Sequence, residues 1–205
     1  MQGDFEIKFY FAYTSPFTYL AVAPAYDLER THRVKLRLVP FGVNIRKVYG
    51  GEVVERDERN RRKLKYLYLD ARRLAGERGM TIMPPQRIYS CRFAFYGGMC
   101  AEDQGKFREY SDRVYDRFWR RELNVENPDA LAAILGEVGA DDTQFRRYIA
   151  DEEAEAKPRL KAYFAEADRD QVFGVPTFIV DRERFWGCDR MDWLIRKLDA
   201  MGLRR

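Results

Sequence analysis

Apolar and polar positions switch between strand and helix periods several times along the 205 residues. FEIKFYFAY, residues 5–13, is almost continuously apolar and predicts a buried strand. PFTYLAVAPAYDLER, residues 16–30, carries an apolar stripe at Phe17, Leu20, Val22 and Leu28 and predicts a helix bent at Pro24. In VKLRLVPF, Val34, Leu36 and Leu38 alternate with Lys35 and Arg37, the period of a second strand. Strand, helix and strand within so short a span predict a βαβ unit with parallel strands.

Beyond Phe41 the helical period takes over. Segments near 55–80, 86–96 and 102–122 predict helices, with Gly97 and Gly98 interrupting the second. ENPDALAAILGEVG predicts a helix capped by Asn127, opened by Pro128 and closed by Gly139. A further helix is expected from about 141 to 168. Strand patterns then return. VPTFIVD and RFW predict two short strands around a DRE turn. GCDRMDWLIRKLDAMG predicts a closing amphipathic helix, with Asp189 and Asp192 as a capping pair and Gly202 at its end. The order is βαβ, a helical block, then ββα. Neither flank completes a sheet alone, so the expected organisation is an α/β domain of residues 1–42 plus 170–205, with an all-helical insertion at 43–169.

Composition narrows the function classes. Apolar residues make up 46% and aromatic residues 15%, enough for a core. The net charge of +4 is mild, and acidic residues interleave the basic run ERDERNRRKLKYLYLDARR. That pattern predicts a solvated helix face with paired charges rather than nucleic-acid binding. No apolar run is long enough for a membrane span, and the first residues carry no secretion pattern. A cytoplasmic protein with reduced thiols is expected. Cys91, Cys100 and Cys188 form no CxxC, and the single histidine, His32, excludes a metal site with two imidazoles. His32, at the turn between helix and strand, is expected at the surface with no role. Aromatic segments such as RIYSCRFAFYGG are expected to form core or the wall of an apolar cleft.

Two stretches carry candidate chemistry. In YTSPFTYLA, Ser15 reads as an N-cap and Pro16 as the first helical residue, a place suited to an anion or thiolate. In FGVPTF, Val175-Pro176 stands just before a strand. With the βαβ…ββα order, these features resemble the thioredoxin fold. Ser15 and Thr18 of SPFT stand where redox relatives carry the two cysteines of CxxC, and Pro176 stands at the family's cis-proline. With the helical insertion and GCDRMDWL after the last strand, the chain resembles the DsbA-like branch that contains 2-hydroxychromene-2-carboxylate isomerase and the kappa-class glutathione transferases.

The resemblance implies glutathione as cofactor. Its thiol would lie beside Ser15, its cysteinyl backbone against Val175 and Pro176, and its γ-glutamyl end against Cys188 and Asp189. The family's contacts to the glycine carboxylate fall in FGVNIRKVYGG, where Asn44, Arg46 and Lys47 are the candidates. The implied activity is glutathione-dependent isomerisation or transfer on an aromatic or conjugated small molecule. A homodimer is the partner that the resemblance allows. Family members usually carry a polar residue such as aspartate before Ser-Pro; here Tyr13 and Thr14 stand there, which implies an altered substrate pocket. The alternatives are a DsbA-like thiol-disulfide oxidoreductase that has lost its motif, and a non-catalytic thioredoxin-fold binding protein.

Overall fold

The computed structural model describes residues 4–42 and 57–205. The chain divides into two compact units, one of Met1–Val43 with Tyr163–Arg205, the other of Asn44–Ala162.

The first unit is a mixed α/β layer, as the pattern predicts. Strands β1 (Phe5–Phe11), β2 (Val34–Pro40), β3 (Thr177–Val180) and β4 (Glu183–Trp186) form one sheet in the order β2-β1-β3-β4. β1 runs parallel to β2 and antiparallel to β3, and β4 closes a hairpin on β3. The hairpin turns through Asp181 and Arg182, both at positive φ, which matches the twist of the flanking strands. Helix α1 (Pro16–Thr31) joins β1 to β2 and continues through Pro24.

Alternation along β1 gives the sheet one apolar face and a second that is apolar around Tyr10. Ile7, Phe9 and Phe11 point one way, where Phe9 stacks on its cross-strand neighbour Phe178 at 4.5 Å. Tyr10 points the other way, into a cluster with Val39, Ala167, Val172 and Ile179. On the β2 edge, Glu29 accepts a 2.6 Å hydrogen bond from the Leu36 amide, which occupies one donor of an otherwise open strand.

Two expectations for this unit change. His32 is not at the surface but 2% exposed. Its ring lies 2.8 Å from the Thr31 hydroxyl and 3.2 Å from an Asp199 carboxylate oxygen, and its backbone bridges to Arg204. With both ring nitrogens partnered, burial leaves no polar group unsatisfied. The imidazole fastens the chain's end to the α1–β2 turn. Asp189 does not cap the last helix. It lies in a 3-10 turn, Cys188–Arg190, ahead of α8 (Met191–Ala200), and no side chain caps that helix.

The second unit is helical: α2 (Glu58–Glu77), α3 (Arg92–Asp103), α4 (Phe107–Trp119), α5 (Pro128–Glu137) and α6 (Thr143–Ala150). Helix α7 (Ala156–Arg169) begins here and ends in the first unit. Asn127 caps α5 as expected, accepting from the Asp129 and Ala130 amides. Gly97 and Gly98 do not break α3; both lie inside it. A Cβ on Gly97 would collide with the buried Tyr110 hydroxyl, which donates to the Ala94 carbonyl at 3.2 Å. The glycine marks a close helix approach, not a stop. The helices near 86–96 and 102–122 are also displaced: ahead of the first the Ser90 amide donates to the Glu126 carboxylate at 2.7 Å, and Gly105, at positive φ, separates the two. The single helix expected at 141–168 is two. The Asp151 carboxylate accepts from the Ala154 amide at 3.3 Å, a local bond that competes with helix continuation.

Candidate functional site

The site is built at the end of β1, where three loops of the first unit meet. Ser15 sits in extended backbone as the N-cap of α1. Its Oγ accepts from the Thr18 amide at 3.2 Å, so the cap is satisfied. Pro16 fills the first helical position, and no acidic residue lies in the first turn. The partial positive charge of the helix start therefore meets no internal counter-charge there. The Ser15 N–H donates back to the Ala12 carbonyl at 3.1 Å, which sets the turn.

Across the gap lies the loop before β3. The Val175–Pro176 peptide bond is cis. The Ser15 hydroxyl donates to the Val175 carbonyl at 3.4 Å. The half-buried Val175 N–H has no hydrogen-bond partner among the described residues. Next along the rim, the Gly187 amide donates to the Pro176 carbonyl at 2.9 Å. That bond attaches the Gly187–Arg190 turn to the loop, and the turn packs against α1. Cys188 is buried in it, and the exposed Asp189 carboxylate pairs with Arg190 at 3.2 Å.

Ser15, Val175, Pro176, Cys188 and Asp189 are thus brought to one rim. Thr18 lies beneath Ser15. It is 0% exposed, and its hydroxyl has no partner among the described residues, an orphan of the kind that native interiors rarely keep. Asn44, Arg46 and Lys47 lie outside the described residues. Pattern reading passed over three neighbours. Thr177 donates to the Gly174 carbonyl at 2.7 Å and pins the loop from the β3 side. Trp186 lays its ring over Gly174, where a Cβ would come within 2.8 Å of the indole nitrogen. Phe173, 65% exposed, meets Trp186 edge-on at 4.9 Å. Only the adjacency of the motifs FGVPT and RFWG could have hinted at them.

No cysteine occupies either place on the helix start, and the three cysteines form no disulfide. Burial pushes the Cys100 thiol up, which outweighs the bonds it receives from its surroundings and disfavours the reactive thiolate. Among the described residues no group of three or more ligand-type side chains could hold a metal ion, and no helix is long and apolar enough to cross a membrane.

The profile of the DSBA-like thioredoxin domain matches residues 6–199. The 2-hydroxychromene-2-carboxylate isomerase of Sphingobium xenophagum is 27% identical over 191 residues, 92% of this chain and 95% of that protein. The solved structure of a 2-hydroxychromene-2-carboxylate isomerase superposes with a TM-score of 0.78 at 24% identity, covering 96% of this chain and 95% of that one. A probable DsbA oxidoreductase from Streptomyces coelicolor follows the same fold, with a TM-score of 0.76 at 18% identity, covering 98% and 91%.

Proposed function

The chain belongs to the DSBA-like thioredoxin domain family, and from that premise we propose that it is a glutathione-dependent isomerase or transferase acting on a conjugated aromatic small molecule. The observation that carries the reading is the Ser15 hydroxyl at a helix start, facing the Val175 carbonyl beside an open Val175 N–H, with no cysteine at either motif position. A thiol-handling fold that keeps the cradle and lacks the thiol fits a thiol brought by a ligand. The isomerase names of relatives along nearly the whole chain support the same class of chemistry.

The residues present fit a thiol tripeptide. The unsatisfied Val175 N–H offers a backbone donor, and its carbonyl an acceptor, to an extended peptide in the manner of an added strand. Bound glutathione supplies a nucleophilic thiol that is regenerated at the end of an isomerisation. Ser15 would turn its proton from the Val175 carbonyl toward the sulfur. With the helix start, it favours the ionised form. Asp189 would accept from the cationic γ-glutamyl amine, and the Cys188 backbone would hold the adjoining carboxylate. The oxidoreductase alternative lacks its chemistry: Ser15 and Thr18 replace the cysteine pair.

Calorimetric titration with glutathione is the test. No binding at millimolar ligand overturns the reading. Replacing Ser15 by Ala raises the bound thiol's pKa by about 1–2 units, because one hydrogen bond to a charged group contributes about 1.5–3 kcal/mol. Thiolate absorbance against pH measures it.

A further inference from the structure

The loop that presents Val175 starts at the end of α7, and a polar network on the Tyr10 face of the sheet holds that start. Tyr10, fully buried, donates to Asp170 at 2.5 Å, and the Lys8 ammonium reaches the same carboxylate oxygen at 2.7 Å. Lys8 also pairs with Glu166 at 2.9 Å, one turn back on α7, and Arg37 of β2 binds Glu166 with two nitrogens at 2.6 and 2.7 Å. From β4, Arg184 donates to the Asp170 and Gln171 carbonyls and, at 2.6 Å, to the Gln171 side chain. β1 and β4 thus grip the consecutive residues Asp170 and Gln171, while β2 holds Glu166 one turn back.

This grip lies at a backbone position that needs one. Gln171 takes positive φ, the left-handed conformation ending α7, without being glycine. The Gln171 and Val172 amides bond to the Asp168 and Ala167 carbonyls, and Val172 is buried against Tyr10 and Ile179. Three residues on, the chain reaches Val175. The Asp170 end is fixed by side chains and the Gly174 end by the Thr177 hydroxyl. Between them no residue other than Val172 is fully buried.

We propose that Asp170 is a positioning residue for the candidate site: through Tyr10 and Lys8 it fixes the Asp170–Val175 turn, and so sets the Val175 carbonyl and amide against Ser15. This role rests on the ligand-reading function given to Val175 above. Tightly held backbone donors and acceptors bind without an ordering cost, so releasing the anchor weakens affinity while the ligand-contacting groups stay intact.

The experiment uses the full chain with Asp170→Ala, Asp170→Asn, Tyr10→Phe and His32→Ala. His32→Ala is the control, since it removes buried hydrogen bonds of the same unit away from the loop. Two quantities are read: glutathione affinity by calorimetry, and amide exchange over residues 171–175 without ligand. Asp170→Ala is expected to weaken glutathione binding about tenfold and to quicken exchange at Gln171 and Val172. Asp170→Asn, which keeps an oxygen for Tyr10, returns affinity to within about threefold of the parent, and Tyr10→Phe weakens it by about as much. His32→Ala lowers Tm but leaves both readouts at the parent values. Quickened exchange with unchanged affinity makes Asp170 merely structural and overturns the proposal, as does an equal loss of affinity in His32→Ala. If Asp170→Ala does not fold, Tyr10→Phe decides by the same criteria. If the parent protein binds no glutathione, the functional reading fails by itself. Exchange alone then judges the positioning: a loop no faster in Asp170→Ala than in His32→Ala overturns it.

Discussion

Gly187→Ala tests the geometry of the site without replacing a ligand-contacting side chain. Gly187 holds φ 112° and ψ 150°, a region open to essentially no residue but glycine. Forcing alanine there costs about 1–3 kcal/mol. Restricting the unfolded chain returns about 0.4–1 kcal/mol. The new Cβ would also collide with an Asp189 carboxylate oxygen. Because that side chain is exposed, rotating it away relieves the clash at little cost in stability, but it moves the carboxylate from the rim. The backbone strain wins, for a net loss of about 1–2 kcal/mol, or about 3–6 °C in Tm for a chain of this size.

The assay is thermal unfolding by circular dichroism, with Gly136→Ala in parallel. Gly136 lies in α5, and a Cβ there meets nothing within 4 Å, so the same substitution should gain up to about 1 kcal/mol from helix propensity. Opposite signs at the two glycines identify the backbone conformation, not the methyl group, as the cause. A Gly187→Ala protein melting at or above the parent would refute the positive φ and, with it, the placement of Cys188 and Asp189.

Two further outcomes follow from the same unit. Hydrogen bonds from Arg37, helped by Lys8 and opposed by burial, lower the Glu166 carboxyl from its ordinary 4.5 to about 2. Its contribution is therefore complete above 4.5 and is lost as pH falls through about 2. Linkage allows roughly 3 kcal/mol, which solvent screening reduces to about 1–2 kcal/mol. The urea-unfolding difference between parent and Glu166→Gln should shrink toward zero as pH falls from neutrality to 2, and a pH-independent difference would count against it. Thr18→Val removes a buried hydroxyl that has no partner among the described residues, so Tm should hold or rise by up to about 1 kcal/mol equivalent. A loss beyond about 1 kcal/mol would show a hidden partner, whereas lost glutathione affinity at unchanged Tm would assign the hydroxyl to the ligand.

What the sequence disclosed depended on the range of the interaction. β1, α1 and β2 were legible because alternation, the Ser15 cap and Pro16 are local signals. Gly97 was misread for the opposite reason. Inside a helix a glycine looks like punctuation, and only Tyr110, on the next helix, explains it as space for a hydroxyl. His32 looked like a surface residue because its partner Asp199 is 167 positions away. Asp189 looked like a cap because Asp192 follows at the right spacing, yet the chain makes a 3-10 turn first and the carboxylate turns to Arg190. The Ser15–Val175 approach spans 160 residues, and it was anticipated only through the family resemblance.

The contacts that build the candidate site share one strand. β1 is the inner strand that pairs with both β2 and β3. Its end leads through Ala12 into the turn that sets Ser15, and its flank carries Tyr10 and Lys8, which hold Asp170. One rigid element therefore fixes the hydroxyl directly and the opposing carbonyl through an anchored loop. A small shift of β1 moves both sides together, so the 3.4 Å separation depends on the Asp170–Val175 turn more than on the sheet.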